Sequence, residues 1–317
     1  MTAPTEAPRP ASVDTVERRG DKTFSQLAVG AGTAILIALA AVAIFLVAQS
    51  LPAILAPAGS FRGTDGNFWQ YVAPLAFGTV WAAALALIMA VPIAVGIALF
   101  ISHYAPRQLA QPLGYIIDLL AAVPSVVYGL WGITVLAPAT VPLYEWLAEN
   151  VGWIPLFAGP ASGTGRTILT VAIVLAVMVL PIITALTREV FVQTPTLNQE
   201  AAYALGATWW EMVRMAVFPY ARSGIISASM LGLGRALGET MAVAMVLSPS
   251  AIISFALIQS ENPSTIAANI ALNFPESAGI QVNALIATGL ALFVITLIVN
   301  SLARFIVNRH ERSLESR

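Results

Sequence analysis

Residues 195–212 read PTLNQEAAYALGATWWEM, and this stretch contains the starts of two short helices. Thr196 with Gln199, and Thr208 with Glu211, have the S/T-x-x-E/Q spacing of a capping box. In that arrangement the hydroxyl of the Ser or Thr accepts a hydrogen bond from the third helical N–H. The Glu or Gln side chain accepts one from the backbone N–H of the Ser or Thr. The spacing therefore predicts one helix beginning near each threonine.

Gly206 lies between the two predicted helix starts. Helices often end in a left-handed backbone conformation, which glycine adopts without strain. The first helix, about residues 197–205, is far too short to cross a bilayer. It presents the small residues Ala201 and Ala202 after Glu200, so the surface of another protein can approach its backbone closely. The stretch predicts a helix, a tight turn and a second helix.

The composition of the whole chain indicates a polytopic membrane protein. Of its 317 residues, 58% are apolar and 10% are charged, with a mean hydropathy of +0.82. Soluble domains have about 25% charged residues. The net charge of -1 offers no field to attract nucleic acid. The absence of cysteine from the sequence excludes disulfides and Cys-ligated metal sites.

Six stretches are long and apolar enough to span a membrane. A spanning helix needs about 20 mainly apolar residues, because the hydrocarbon core is about 30 Å thick. The stretches are 28–49, 77–100, 113–136, 168–187, 225–246 and 282–307. They predict an all-α protein with six transmembrane helices, in which Pro92, Pro124 and Pro181 mark kinks.

These stretches give the expected organisation of the chain. It consists of a disordered tail at 1–25, a first span with its outer loop at 26–72, a core with five spans at 73–307, and a tail at 308–317. A loop at 188–222 lies within the core. In the outer loops, residues 141–151 predict a short amphipathic helix, and 251–258 are apolar but too short to cross. We expect both to lie at the outer interface.

The positive charges predict that both termini are cytoplasmic, because Lys and Arg are retained on that side of the membrane. Twelve of them fall before the first span, after the last, or in alternate loops: Arg9, Arg18, Arg19, Lys22, Arg107, Arg188, Arg214, Arg222, Arg304, Arg309, Arg312 and Arg317. Only Arg62 and Arg166 fall in the opposite loops. The loop at 188–222 is therefore expected on the cytoplasmic side.

That loop resembles a motif of a known family. Glu200, Ala201 and Ala202, followed by Gly206 and later by Phe218-Pro219, resemble the EAA motif of permease subunits of binding-protein-dependent ABC importers. The motif normally has Ile and Leu where this chain has Ala216 and Phe218. The resemblance implies that the short helix is a coupling helix, in which Glu200, Ala201, Ala202 and Gly206 engage a cytoplasmic ATPase. That ATPase must be another chain, since no P-loop is present in this sequence.

Arg235 and Glu239 fall inside the predicted fifth span. A central arginine costs about 2.5–3.5 kcal/mol on insertion scales, so such residues face a bundle interior or a wet cavity and are usually functional. Four residues separate the two, so they share a helix face and can pair. The alternative is an intrahelical salt bridge that only neutralises both charges.

Two segments are similar to permease subunits of high-affinity phosphate importers. They are GLGRALGETMAV at 232–243 and AAVPSVVYGLWG at 121–132, and the resemblance extends from about residue 70 to the C-terminus. It implies the MetI-like permease fold and a transport role for Arg235 and Glu239. An arginine fork suits a phosphate oxyanion. Asp118 and Tyr128 are possible pathway residues, although Asp118 also fits a watery cytoplasmic position and Tyr128 also fits packing.

The resemblance also implies an assembly in a bacterial plasma membrane. A second homologous permease completes the pathway, two copies of an ATPase bind inside, and a phosphate-binding protein docks outside. No catalytic residue, cofactor, metal or nucleic acid is expected. The alternatives are a permease for another oxyanion such as phosphonate, sulfate or molybdate, the partner phosphate permease, and a secondary transporter or channel that uses Arg235, Glu239 and Asp118 as a relay. An intramembrane enzyme is disfavoured, since no nucleophile–base pair lies within a span.

Overall fold

The computed structural model describes residues 19–61 and 65–315 of the chain. Two compact units divide between Ala48 and Gln49. The described part of the first unit, residues 19–48, is entirely helical and belongs to a helix that continues to Ile54. The second unit contains the rest of the helices and a two-stranded parallel sheet.

Twelve α-helices follow one another along the described chain. They are α1 (Arg19–Ile54), α2 (Phe68–Leu99), α3 (Arg107–Ala121), α4 (Ser125–Trp131), α5 (Ala137–Val151), α6 (Ile168–Val192), α7 (Thr196–Ala204), α8 (Trp209–Met212), α9 (Phe218–Leu237), α10 (Met241–Val246), α11 (Ile266–Asn273) and α12 (Ile280–Glu315). Three π-helical segments, Phe100–Tyr104, Gly132–Leu136 and Val213–Val217, extend or join them. Strands β1 (Pro249–Ser250) and β2 (Asn262–Pro263) pair in parallel.

Five helices in the described ranges are long and apolar enough to cross a membrane. They are Lys22–Ile54, Phe68–Tyr104, Ser125–Val151, Ile168–Val192 and Ile280–Phe305. The remaining predicted stretch, 225–246, is also largely helical but is interrupted, because α9 ends at Leu237 and α10 begins at Met241. The prediction of one continuous helix there is corrected to two helices.

The predicted third span, 113–136, is wrong in its boundaries. α3 ends at Ala121 and α4 begins at Ser125, with Pro124 as its N-cap. Proline has no N–H to donate and disfavours the helical conformation of the residue before it, so the helix cannot run through this point. The spanning helix instead runs over Ser125–Val151 and includes the predicted separate helix at 141–151.

The predicted ends of the chain also differ from the structure. α1 begins at Arg19, so residues 19–25 are helical rather than part of a disordered tail. The backbone of α12 continues to Glu315, well into the tail predicted at 308–317. Residues 1–18, 62–64 and 316–317, with Arg9, Arg18, Arg62 and Arg317 among them, lie outside the described residues.

The core of the second unit is a bundle in which α2, α6 and α9 pack together. α2 contributes a line of alanines with at most 1% exposure: Ala82, Ala83, Ala86, Ala90 and Ala94. Small residues let helix backbones approach closely inside a membrane. Larger side chains of α6, including Leu175, Met178 and Ile183, fill the space beside them. α7 follows the end of α6, and we refer to this end of the bundle as the α7 end.

Asn262 organises the loops at the opposite end of the bundle. Its fully buried side chain accepts a hydrogen bond from the Ile168 N–H at 2.9 Å, at the start of α6. Its Nδ2 lies 3.1–3.3 Å from four carbonyl oxygens, those of Arg166, Ser248, Gln259 and Ser260. One amide therefore joins the loop before α6 to the loop after α10. The segment 251–258 belongs to the second loop and is not helical.

Replacing Asn262 with leucine is expected to destabilise the protein by several kcal/mol. Each buried polar group left unpaired costs about 1–3 kcal/mol, and several carbonyls and one N–H lose their partner. Thermal unfolding of the detergent-purified chain measures the effect. Asn150→Leu is the matched control, because the Asn150 amide donates a single exposed bond to the Trp146 carbonyl. Equal unfolding temperatures for the two variants would contradict the structural role of Asn262.

Candidate functional site

The predicted helix–turn–helix is present between α6 and α9. Gly206 has a φ of +84°, in the left-handed region. Its N–H donates to the Tyr203 carbonyl at 2.9 Å, and the Ala207 N–H donates to the Ala202 carbonyl at 3.1 Å. These two bonds form a Schellman motif, which satisfies the last carbonyls of a helix. The predicted stop at Gly206 is confirmed.

The second predicted capping box is confirmed at the start of α8. The Thr208 hydroxyl accepts a hydrogen bond from the Glu211 N–H, and the Glu211 carboxylate accepts one from the Thr208 N–H at 2.8 Å. The Thr208 hydroxyl also lies 2.8 Å from the same carboxylate oxygen. A helix of only four residues is thus fixed by its own first turn.

The first predicted capping box, Thr196 with Gln199, is wrong. Pro195 is the N-cap of α7, Thr196 is its first helical residue, and no side chain caps its N–H groups. The fixed φ of proline suits the entry to a helix and places the threonine one position too late to act as a cap. The Gln199 amide instead donates to the Thr194 carbonyl at 3.2 Å.

The residues of the EAA-like motif divide between the bundle and the surface. Ala202 is 6% exposed and belongs to a buried cluster with Phe191 of α6 and Val217 before α9. Glu200, Ala201 and Gly206 are exposed, and so are the apolar side chains of Leu197 (73%) and Leu205 (82%). α7 is therefore attached to the bundle by its small buried face and presents an apolar, acidic face outward.

The capping box gives Glu211 a distinct pH dependence. Hydrogen bonds from the N–H and then the hydroxyl of Thr208 lower the pKa of the Glu211 carboxyl below its ordinary value of 4.5. Because the folded state favours the carboxylate, the stability it contributes is complete above the unfolded pKa. That contribution is lost as the pH falls through the lowered pKa.

Thr208→Ala is expected to raise the pKa of Glu211 toward its ordinary value of 4.5, because the hydroxyl bond is lost and the backbone bond loosens. Carbon-13 NMR of side-chain-labelled glutamate measures this pKa. Thr208→Ser keeps a hydroxyl and is expected to leave the titration unchanged. A titration of Glu211 that is the same in the alanine and serine variants would contradict the capping geometry.

Arg235 lines an open groove beside α9, with a cavity volume of about 730 Å³. Ser227, Met230, Leu231 and Gly234 form one wall at the spacing of a single helix face. Asn300 and Arg304 of α12 form the other wall. Gly234 has open space where a side chain would stand. The groove therefore brings two guanidinium groups, an amide and a hydroxyl to one surface.

Arg304 is the functional candidate that sequence reasoning missed. In the sequence, Arg304 lies 69 positions from Arg235 and contributed only to the prediction of a cytoplasmic C-terminus. Hydrophobic periodicity does not reveal which helix faces pack beside each other, so no signal in one sequence pairs these arginines. Within the described residues, neither guanidinium forms a hydrogen bond or ion pair with the protein.

The predicted pairing of Arg235 with Glu239 is not present. α9 ends at Leu237, two residues after Arg235, so Glu239 is not on the same helix. The Glu239 side chain is 8% exposed, and its Oε1 accepts a hydrogen bond from the Ala242 N–H at 3.1 Å. A carboxylate at a helix N-terminus satisfies free N–H groups and suits the helix dipole. Glu239 thus lies two residues before α10 and binds one of its first N–H groups, and the i,i+4 prediction fails because the helix breaks.

Arg166 stabilises the other end of α10. Its guanidinium donates to the Leu247 carbonyl at 3.0 Å and to the Val246 carbonyl at 3.3 Å. A cation at a helix C-terminus bonds the last carbonyls and complements the dipole. The six-residue helix is therefore held between an acid and a base. From the sequence, Arg166 was noted only as one of the two arginines in the loops opposite to the cytoplasmic side.

Tyr128 and Asp118 do not line the groove. The Tyr128 hydroxyl is part of a buried side chain and donates to the Leu120 carbonyl at 3.0 Å, across the break between α3 and α4. Asp118 is exposed on α3. Among the described residues, no group of three His, Asp or Glu side chains is arranged to hold a metal ion.

The chain is similar to known transport proteins over nearly its whole length. It is 46% identical over 318 residues to the phosphate transport system permease protein PstC 2 of Mycobacterium tuberculosis, covering 96% of this chain and 98% of that protein. It is 44% identical over 310 residues to PstC of Mycobacterium leprae, covering 94% and 97%.

A solved structure and a family model agree with these relatives. A chain of a bacterial ABC transporter involved in the import of alginate superposes with a TM-score of 0.63, over 92% of this chain and 96% of that one. Its 15% identity supports the fold alone. Residues 90–312 match the model of the binding-protein-dependent transport system inner membrane component. The chain belongs to this family of inner-membrane permease subunits of ABC transporters.

Proposed function

We propose that this chain is the permease subunit of an ATP-driven importer that moves inorganic phosphate into the cytoplasm. The observation that carries the proposal is the 46% identity to a phosphate permease over 96% of the chain. The groove between α9 and α12 supports it, because Arg235 and Arg304 line it without a protein partner among the described residues. The chain is a transport subunit rather than an enzyme, and a separate subunit hydrolyses ATP.

The groove offers phosphate several weak contacts. An arginine fork binds two phosphate oxygens at once and stays charged at physiological pH. Transport requires binding that is favourable enough to enter and weak enough to leave. Arg235 and Arg304 lie on different helices. A relative movement of α9 and α12 would therefore separate the two guanidinium groups and weaken their simultaneous binding of the anion. Ser227 and Asn300 add neutral donors along the same surface.

α7 is the element that receives the drive from ATP. Its Glu200, Ala201 and Gly206 face outward, where the ATPase would bind. Ala202 packs on Phe191 of α6 and on Val217, next to α9. A push on α7 therefore passes directly to the helix that bears Arg235. In this mechanism ATPase closure tilts α6 and α9 and alternates access to the groove.

The proposed assembly has a second, homologous permease, two copies of the ATPase and an external phosphate-binding protein. Both termini and α7 would face the cytoplasm. The supporting observation is that Arg188, Arg214 and Arg222 flank the α7–α8 loop, as the retention of positive charge on that side requires.

ATP-driven uptake into proteoliposomes tests the proposed function. The complete complex is reconstituted with its binding protein, and uptake of radiolabelled phosphate is measured with and without ATP. We expect uptake that requires ATP and that excess sulfate, molybdate or phosphonate does not compete away. Uptake of one of those anions in preference to phosphate would reassign the substrate, and uptake without ATP would indicate a channel or secondary transporter.

A further inference from the structure

A second polar pocket lies at the α7 end, separate from the groove. It has a cavity volume of about 620 Å³ and is bounded by the π-helical segment that follows α2, by α3, by the end of α6 and by the start of α7. The polar residues that line it are Ser102, His103, Gln111, Arg188, Thr194, Thr196 and Gln199. No acidic side chain lines it. Neither the EAA-like motif nor the transport groove uses these residues.

Arg188 supplies an uncompensated positive charge to this pocket. Its side chain is half-buried and packs against Gly114 of α3, where a Cβ would collide with the guanidinium. Within the described residues, no hydrogen bond or ion pair engages it. A partly buried charge without a partner is unfavourable unless a ligand or another molecule completes it.

Two further sets of donors lack protein partners at the same place. The Thr194 hydroxyl is buried, with the residue 3% exposed, and has no hydrogen-bond partner. The first two N–H groups of α7, those of Thr196 and Leu197, have no side-chain cap, because Pro195 occupies the N-cap position; the next N–H, that of Asn198, donates to the Pro195 carbonyl at 3.1 Å. A helix N-terminus attracts anions through its free N–H groups and its dipole.

We propose that this pocket binds a phosphate group between Arg188, the Thr194 hydroxyl and the N-terminus of α7. A tetrahedral phosphate has enough acceptor oxygens to use all three sets of donors at once. The group can belong to a lipid headgroup, since α6 leaves its spanning segment here, or to free phosphate. None of these donors lines the transport groove.

The bound group would fix the orientation of the coupling element. Arg188 is on α6 and Thr196 begins α7. A phosphate bound between them would therefore attach the N-terminal end of α7 to the bundle. The buried contact of Ala202 is the other attachment. The pocket therefore regulates how stiffly α7 follows the helices of the bundle.

Hydrogen–deuterium exchange of the Thr196 and Leu197 amides of α7 tests the proposal in the complete, detergent-purified transporter. One arm adds inorganic phosphate to a phosphate-free buffer, and the other adds phosphatidylglycerol. We expect one of these additions to slow exchange roughly tenfold, as a charge-assisted hydrogen bond implies. The effective addition identifies the source of the phosphate group.

Variants separate this pocket from other anion effects. Arg188→Gln and Thr194→Val should each abolish or weaken the protection, whereas Arg214→Gln removes an exposed charge outside the pocket and should leave it unchanged. Protection should also persist in Arg235→Gln, because Arg235 does not line this pocket. A loss of transport in that variant would test the proposed function and not the phosphate pocket. No protection by either addition, or equal protection in Arg188→Gln, would overturn the proposal.

Discussion

Arg235→Gln is expected to abolish most phosphate uptake while the complex still assembles. Glutamine keeps much of the length of the side chain but loses the charge and the two-pronged fork that matches phosphate oxygens. Removing one partner of a desolvated charge pair costs about 2–5 kcal/mol, which corresponds to a loss of roughly 30-fold or more. Radiolabelled phosphate uptake by the reconstituted complex measures the effect, with ATP hydrolysis as the test of assembly.

Two further variants serve as controls for Arg235→Gln. Arg235→Lys keeps the charge as a point donor and should retain intermediate uptake, because lysine cannot bind two oxygens in the same way. Arg214→Gln removes an exposed arginine that does not line the groove and should transport normally. Uptake by Arg235→Gln within twofold of the unmodified protein, at equal protein levels, would remove Arg235 from the pathway.

Gly206→Pro is expected to release the ATPase from the permease. The φ of Gly206 is +84°, whereas proline is fixed near –65°. Proline also removes the N–H that donates to the Tyr203 carbonyl, so the Schellman motif cannot form. The turn then reorients Glu200 and Ala201, and we expect the ATPase recovered with the affinity-purified permease to fall about tenfold or more.

Gly206→Asn is the matched control, because asparagine tolerates the left-handed conformation better than other side chains. No atom lies within 4 Å of the position that its Cβ would occupy. The asparagine variant should therefore keep most of its ATPase. Full recovery of the ATPase with Gly206→Pro would show that the turn does not position the coupling element.

Features set by a few neighbouring residues could be predicted from the sequence. Thr208 and Glu211 form the predicted capping box, and Gly206 ends α7, because both depend on hydrogen bonds within one turn. Long apolar stretches also gave most of the spanning helices, since their length is set by the bilayer. Pro124 was recognised within a span, but it separates two helices where the sequence predicted a kink in one.

Features set by packing could not be predicted. Arg304 meets Arg235 in one groove only because α9 and α12 lie side by side. Glu239 has the spacing of a helical pair with Arg235, yet its carboxylate accepts a hydrogen bond from the Ala242 N–H at the start of α10. Sequence spacing does not show that the helix breaks between the two residues. Pro195 rather than Thr196 is the N-cap of α7, and hydrophobic periodicity does not show which of two neighbouring residues takes that position.

Thiol labelling of Ser227→Cys most directly tests the central claim that an anion passes through the groove beside Arg235. The chain has no native cysteine, and Ser227 is exposed on the groove wall. We predict that a negatively charged methanethiosulfonate reagent labels this cysteine in the complete transporter and that phosphate slows the reaction. Ile88→Cys, an exposed position on α2 outside the groove, should show no phosphate effect. Labelling of Ser227→Cys only by lipid-soluble maleimides, or at a rate that phosphate does not change, would contradict the account.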